Sequence, residues 1–253
     1  MIRCFAPPAA WTPQTVALDA DEARHALRVR RAQPGDPAEA VDGTGRRARG
    51  ILEADGARGA RVRIAALEIE PPPAADLGLI VAAPKGDTGA WIVEKATELG
   101  LSRIWMVEAE RSIARVAPER RAARVERWRR TAIEALKQCG RARLPDVRLF
   151  GSPAEVCAAR TAGERWLLAA LTPGAPPFRA ALAAAERDGV SRLSVWIGPE
   201  GDFTPSEIAA LRATGAIPVS LGAAVLRVET AAIAAAALMS LCFCPPRGTE
   251  KTS

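Results

Sequence analysis

The residues best placed to do chemistry lie in two glycine-bearing turns near the C-terminus. They are Ile197-Gly198-Pro199-Glu200-Gly201-Asp202-Phe203-Thr204 and Leu221-Gly222-Ala223-Ala224-Val225-Leu226-Arg227-Val228-Glu229-Thr230. Each follows a short apolar run and leads into a helical pattern. In an open α/β sheet such strand-to-helix turns sit at the carboxyl ends of strands, where ligands bind. Glycine lets the main chain approach a ligand closely. The spacing of the two turns predicts one shared pocket.

A pocket walled by main chain suits a nucleoside-like ligand. An adenine ring can be read by N–H and C=O groups, and a ribose by a carboxylate or carbonyl. Glu200 and the amides around Gly198 and Gly201 can supply these groups. Glu229 and Thr230 stand where they could face the ligand or cap the following helix, and both uses remain open.

Other chemistries fare worse. No Gly-x-x-x-x-Gly-Lys-Ser/Thr loop is present, and no Gly-x-Gly-x-x-Gly follows the first α/β strand,. No Gly-x-Ser-x-Gly elbow occurs, and the single histidine, His25, lies far from both turns in sequence,. His25 reads as structural or RNA-facing. A Glu200/Asp202 carboxylate pair stays open as acid–base chemistry. The loop Pro84-Lys85-Gly86-Asp87 offers a lysine at a strand end, or is an ordinary turn. The five cysteines (Cys4, Cys139, Cys157, Cys242, Cys244) form no Cys-x-x-Cys pair, which argues against zinc and against a secreted disulfide scaffold,.

The elements that position the turns follow from periodicity. Pro71-Pro72-Pro73 marks a boundary,. Before it, residues 1–70 carry short segments separated by Gln33-Pro34-Gly35-Asp36 and Asp42-Gly43-Thr44-Gly45. Ala60–Ile64 alternates at period two, and one helix is predicted near Asp21–Arg31,. After the prolines, apolar runs at Leu77–Ala83, Ile104–Val107, Trp166–Leu171, Leu193–Ile197 and Ile217–Leu221 alternate with helical patterns. Asp87 or Thr88 can cap a helix ending at Gly100. A long basic helix runs from Pro118 to about Gln138, another from Pro177 to Arg187, and Thr204-Pro205-Ser206-Glu207 spells a capping box,. Strand–helix alternation predicts a mainly parallel sheet covered on both faces. The fold class is α/β, with a small β-rich domain over 1–70 and an α/β domain over 74–246.

The net charge is +6 with pI near 9.5, which fits an anionic partner,. Residues 111–148 hold 12 Arg/Lys against 4 Asp/Glu, so the basic excess is concentrated in one segment. That segment reads as a nucleic-acid footprint or a solvated helix face. The longest apolar stretch, Ala231–Cys244, is shorter than the roughly 20 residues that span a bilayer. No signal pattern opens the chain, so a soluble cytoplasmic protein is expected, with no membrane or metal partner.

With these residues in view, the chain resembles the RsmE-type 16S ribosomal RNA uridine-N3 methyltransferases of the SPOUT class. The resemblance covers nearly the whole chain. It is carried by Ile197–Gly201, by Leu221-Gly222 with Leu226–Ala231, by Lys95-Ala96-Thr97-Glu98-Leu99-Gly100, and by Gln138-Cys139-Gly140-Arg141-Ala142-Arg143-Leu144-Pro145. It implies a PUA-like N-terminal β-barrel, a C-terminal SPOUT α/β domain with a deep trefoil knot, S-adenosyl-methionine as methyl donor, and a homodimer acting on 16S ribosomal RNA or the small ribosomal subunit. Residue by residue it implies donor contacts at Leu171, Thr172, Gly198, Glu200, Gly201, Leu221, Gly222, Leu226 and Arg227. The catalytic candidates are Arg227, Arg141 and Glu229. RNA contacts are expected at Arg24, Arg28, Arg30, Arg31, Arg111, Arg129, Gln138, Arg141 and Arg143. The chain departs from the family pattern at Asp202, where a second glycine is usual, at Ala223-Ala224, often Pro-Arg, and at Val228, usually Thr.

Two rivals share these features. One is a SPOUT enzyme methylating the ribose 2′-OH of RNA. The other is a non-catalytic RNA-binding assembly factor, which an arginine-rich surface supports equally.

Overall fold

The computed structural model describes residues 1–56, 59–112 and 115–244. The polar C-terminus Pro245–Ser253 and the last residues of the expected 74–246 domain lie outside the described residues. The chain divides into two compact units: Met1–Pro72 with Ile133–Leu144, and Pro73–Ala132 with Pro145–Ser253.

The first unit is built on five strands: β1 (Ile2–Phe5), β2 (Thr15–Ala17), β3 (Pro37–Val41), β4 (Arg46–Asp55) and β5 (Gly59–Ile69). Their order is β1-β3-β4-β5-β2, with β1 parallel to β3 and the remaining pairs antiparallel. Period-two alternation sends Ala60 and Val62 into a core with Cys4, Val16, Ala40 and Leu52. Arg61 and Arg63 point outward and share Glu53, at 3.0 and 2.7 Å. The β4–β5 ladder slips at Arg49/Gly50, where a Cβ on Gly50 would lie 1.7 Å from the Arg63 carbonyl oxygen. Glycine is therefore obligatory at this bulge.

The predicted helix near Asp21–Arg31 is α1 (Ala20–Arg24), followed by a π-helical turn over His25–Val29. The segment 133–144 joins this unit through specific bonds. Arg47 Nη2 donates to the Gly140 carbonyl at 2.8 Å, and the Ala142 amide donates to Glu70 at 2.8 Å. Lys137 pairs with Glu22 at 2.7 Å. Buried Glu39 accepts from Arg47 at 3.0 Å and faces Arg3 and Arg49 at 3.3 Å each, so its charge is compensated inside the fold,.

The second unit holds a six-stranded, all-parallel sheet in the order β11-β9-β10-β6-β7-β8. The strands are β6 (Asp76–Ala82), β7 (Arg103–Val107), β8 (Asp146–Phe150), β9 (Arg165–Ala169), β10 (Arg192–Ile197) and β11 (Ile217–Val219). The helices are α2 (Thr88–Glu98), α3 (Pro118–Cys139, whose last turns belong to the first unit), α4 (Pro153–Ala158), α5 (Phe178–Arg187), α6 (Pro205–Ala213) and α7 (Val228–Phe243). Thr204 and Glu207 form the expected capping box of α6. The Asp87 side chain does not cap α2; its carboxylate reaches Arg127 instead, at 2.6 Å. Strand β8 and helix α4 were not among the expected elements.

Opposite ends of this sheet are finished differently. At the amino ends Asp76 holds Arg103 and Arg192, each at 2.9 Å, while Glu164 holds Arg103 and accepts from Ser194. Gly78 makes room there, since a Cβ would sit 2.1 Å from Ser194 Oγ. One face packs Trp166 edge-on against Trp196 (5.2 Å), and Trp196 against Phe203 (6.1 Å). Such aromatic pairs add about 0.5–1.5 kcal/mol each beyond area burial. On the other face α7 packs against β6, α2 and α5 through buried Ala231, Ala232, Ala235, Ala236 and Met239. Among the described residues no helix is long and apolar enough to cross a membrane.

Candidate functional site

Beyond the carboxyl ends of β9, β10 and β11 the sheet opens onto a cavity. Register places Ala169, the last residue of β9, beside Ile197 of β10 on one side and Val219 of β11 on the other. All three line a cavity of about 290 Å³. Its walls are the three segments leaving those strands: Ala170–Pro173, Gly198–Asp202 and Ser220–Leu226, with Val228 and Ala231 of α7 as further lining. The two turns singled out in the sequence thus meet in one pocket, joined by a third segment. The cavity floor is apolar and buried, while Leu171 (66% exposed) and Val225 (72% exposed) stand at its rim.

The chemistry of the walls suits a flat heteroaromatic ligand with polar edges. Among the described residues no hydrogen bond uses the main-chain amides of Leu221, Ala223, Ala224, Val225 or Leu226. Those groups are free to read a ring edge. Gly222 has φ +136°, and a Cβ there would meet nothing within 4 Å. The glycine is thus demanded by conformation rather than by a neighbour. The polar lining is uncharged main chain, Thr172, Ser220, the Asp202 carboxylate with both oxygens already bonded, and the Glu200 carboxylate, which is exposed and unbonded among the described residues. An adenosyl group fits that set.

The turn after β10 is tightly held. The Asp202 amide donates to the Pro199 carbonyl at 2.8 Å. Arg111 Nη1 donates to the Gly201 carbonyl at 2.7 Å, and the Glu110 amide donates to Glu207 at 2.9 Å. Asp202 takes φ +58°, the left-handed conformation that the usual glycine would adopt freely,. It also lines the cavity, which the reading of the sequence did not anticipate.

The expected site residues separate accordingly. Leu171, Thr172, Gly198, Glu200, Leu221, Gly222 and Leu226 line the cavity. Gly201 and Arg227 do not: Gly201 faces Arg111, and Arg227 is the exposed residue preceding α7. Glu229, half-buried in the first turn of α7, makes no capping bond. In the first unit, Arg24 is paired with Asp21, whereas Arg28, Arg30 and Arg31 are exposed with no partner among the described residues. Gln138 is exposed and Arg141 half-buried. Arg143 is structurally engaged, donating to the carbonyls of Glu70 (2.7 Å) and Pro71 (3.1 Å). Arg129 lies on the exposed side of α3. Pro173 and Ser220 also line the cavity and were missed, their only sequence signal being position after a strand end; Val225 and Ala231, in and just after the second turn, line it too without having been expected as contacts.

Fold and cavity define the class: an α/β protein that takes a nucleoside-like ligand at the carboxyl ends of a parallel sheet. A family model described as an RNA methyltransferase domain matches residues 70–240, and one described as an RNA methyltransferase PUA domain matches 18–65. The chain belongs to this RNA methyltransferase family and is a methyltransferase. It is 35% identical over 228 residues to the ribosomal RNA small subunit methyltransferase E of Mycobacterium bovis, spanning 88% of this chain and 85% of the relative. Against the enzyme of the same name from Synechocystis, identity is 31% over 222 residues, covering 86% and 70%. A crystal structure of a ribosomal RNA small subunit methyltransferase E from Neisseria gonorrhoeae bound to S-adenosyl methionine superposes with TM-score 0.83 at 27% identity, over 96% of this chain and 98% of that one.

Proposed function

We propose that the chain methylates N3 of a uridine in 16S ribosomal RNA, using S-adenosyl-methionine and acting on the small ribosomal subunit in the cytoplasm. The observation that carries the reading is the cavity at the aligned ends of β9, β10 and β11, walled by the two glycine turns. The family membership and the names of the relatives support the substrate class. We include in the proposal a domain division at 1–70 and 74–246, closure of the N-terminal sheet into a PUA-like barrel, a trefoil knot through the cavity-forming turns, and a homodimer.

When bound, the cofactor supplies an electrophilic methyl group on its sulfonium. The protein has to orient donor and acceptor. The main-chain amides of Leu221 and Ala223–Leu226 would hold the adenine edge, Glu200 would meet the ribose, and the apolar floor would exclude water. Uracil N3 carries a weakly acidic proton that must leave to a positioned base or to solvent. Arg227 and Arg141 are assigned to the developing charge at the uracil oxygens, and Glu229 to the proton. N3 lies on the pairing edge of the base, so the target is unpaired or flipped. Arg24, Arg28, Arg30, Arg31, Arg111, Arg129, Gln138, Arg141 and Arg143 are assigned to the RNA, Arg111 and Arg143 alongside their structural bonds.

The test supplies purified protein and labelled donor to ribosomal RNA from cells lacking this protein, and maps the methyl. Label on the base of a single 16S uridine supports the proposal. A ribose methyl, or no transfer to any substrate including assembled subunits, overturns it. Unchanged single-turnover rates in Arg227→Ala and Arg141→Ala would remove those residues from the mechanism.

A further inference from the structure

Asp202 adopts a left-handed backbone (φ +58°) that costs a side-chain-bearing residue energy, so something local must hold it there,. Both of its carboxylate oxygens are used. Oδ1 accepts from the Phe203 amide at 2.7 Å, within the turn. Oδ2 accepts from the Leu171 amide at 2.8 Å, across to the segment that leaves β9. These segments are two of the three cavity walls.

The Leu171 wall has little else to hold it at this point. Its own bonds are local, Thr172 amide to Ala170 carbonyl at 2.7 Å and Ala175 amide to Thr172 carbonyl at 3.2 Å. The Leu171 side chain is too exposed to anchor by packing. Further along, the Ser220 amide donates to the Pro176 carbonyl at 2.9 Å, which ties the segment to the third wall. Among the described residues the Asp202–Leu171 bond is the one hydrogen bond that ties it to the second.

We propose that Asp202 is a positioning residue for the methyl donor: its carboxylate sets the separation of two walls and thereby the affinity for the adenosyl group. The inference rests on the donor-site reading above. It also specifies how Asp202 acts. A clamp shapes the cavity for any adenosyl ligand, whereas a carboxylate attracting the sulfonium would favour the cationic donor over the neutral thioether product.

The experiment is calorimetric titration of the full chain with S-adenosyl-methionine and, separately, S-adenosyl-homocysteine. It uses wild type, Asp202→Ala, Asp202→Gly and Asp202→Asn, with thermal melting and donor KM and kcat measured alongside. Asp202→Ala is expected to weaken both ligands by on the order of tenfold, the value of one charge-assisted hydrogen bond, and to raise donor KM more than it lowers kcat. Asp202→Asn, which retains one carbonyl acceptor and tolerates the left-handed backbone, should fall between. Asp202→Gly relieves the backbone and should melt above Asp202→Ala, yet bind as weakly. Wild-type affinity in the Ala and Gly variants, or a loss confined to the cationic donor, overturns the clamp. Failure of the wild type to bind either ligand overturns the donor site itself, and the clamp with it.

Discussion

Arg111 donates to the carbonyl oxygen of Gly201 at 2.7 Å, and its aliphatic stem passes 3.6 Å from where a Gly201 Cβ would be. An arginine that the family resemblance places near RNA or donor therefore has a defined task at the donor turn. The Arg111→Ala variant is expected to raise the donor Kd about three- to tenfold, a part of what one hydrogen bond to a charged group contributes, because Arg111 holds the turn and not the ligand. The slope of RNA affinity against salt should stay unchanged. A slope reduced by about one unit with normal donor binding would instead make Arg111 a phosphate contact.

Gly198 sits where space has run out. A Cβ there would lie 2.9 Å from Asp202 Oδ1 and 3.2 Å from the Phe203 ring, which is fixed in the core. Gly198→Ala should displace the Asp202 carboxylate, lower thermal stability by about 1–3 kcal/mol and weaken donor binding more than tenfold. Calorimetry and thermal melting check both parts, and a variant that melts and binds like wild type would contradict the described packing.

Arg28, Arg30 and Arg31 are exposed and unpaired among the described residues, which distinguishes them from Arg24 in its pair with Asp21. Replacing the three with glutamine should leave donor affinity intact. It should weaken RNA binding and flatten its salt dependence by about two units, since each single-strand phosphate contact contributes roughly 0.7. RNA titrations at several salt concentrations provide the measurement.

Asp42 makes the stability of the first unit acid-sensitive. Burial pushes its carboxyl up, but the Thr44 hydroxyl and Arg46 side chain, together with the amides of both residues, hold it below the ordinary aspartate value. A depressed folded-state value means the contribution is complete above the unfolded pKa of about 3.9 and is lost as pH falls through the lower folded value. Asp42→Asn should destabilise by about 1–3 kcal/mol near neutrality. Denaturant melts at neutral pH and below pH 4 should show the gap between wild type and variant closing in acid.

Much of the fold was legible because local patterns reported it. The Thr204–Glu207 capping box, the glycine stop at Gly100 and the five apolar runs each announce an element through chemistry confined to a few residues. What escaped was weakly patterned. Strand β8, Asp-Val-Arg-Leu-Phe, is half-buried apart from the exposed Arg148 and carries no continuous apolar run. Asp87 could cap α2 by sequence, but Arg127, forty residues away, takes its carboxylate.

The pocket divides in the same way. Gly198, Glu200, Leu221 and Gly222 were recognisable because a glycine turn after a strand is a local signal with a physical meaning. That Ala169 would be flanked in register by Ile197 and Val219, bringing three strand exits together, depended on a strand order with β9 between β10 and β11. That Asp202 would bond Leu171, or Arg111 Gly201, depended on contacts across 31 and 90 residues. Sequence carries turn chemistry and periodicity because neighbours in the chain impose them. Which distant amide a carboxylate meets is decided only when packing chooses one arrangement among many of similar local energy.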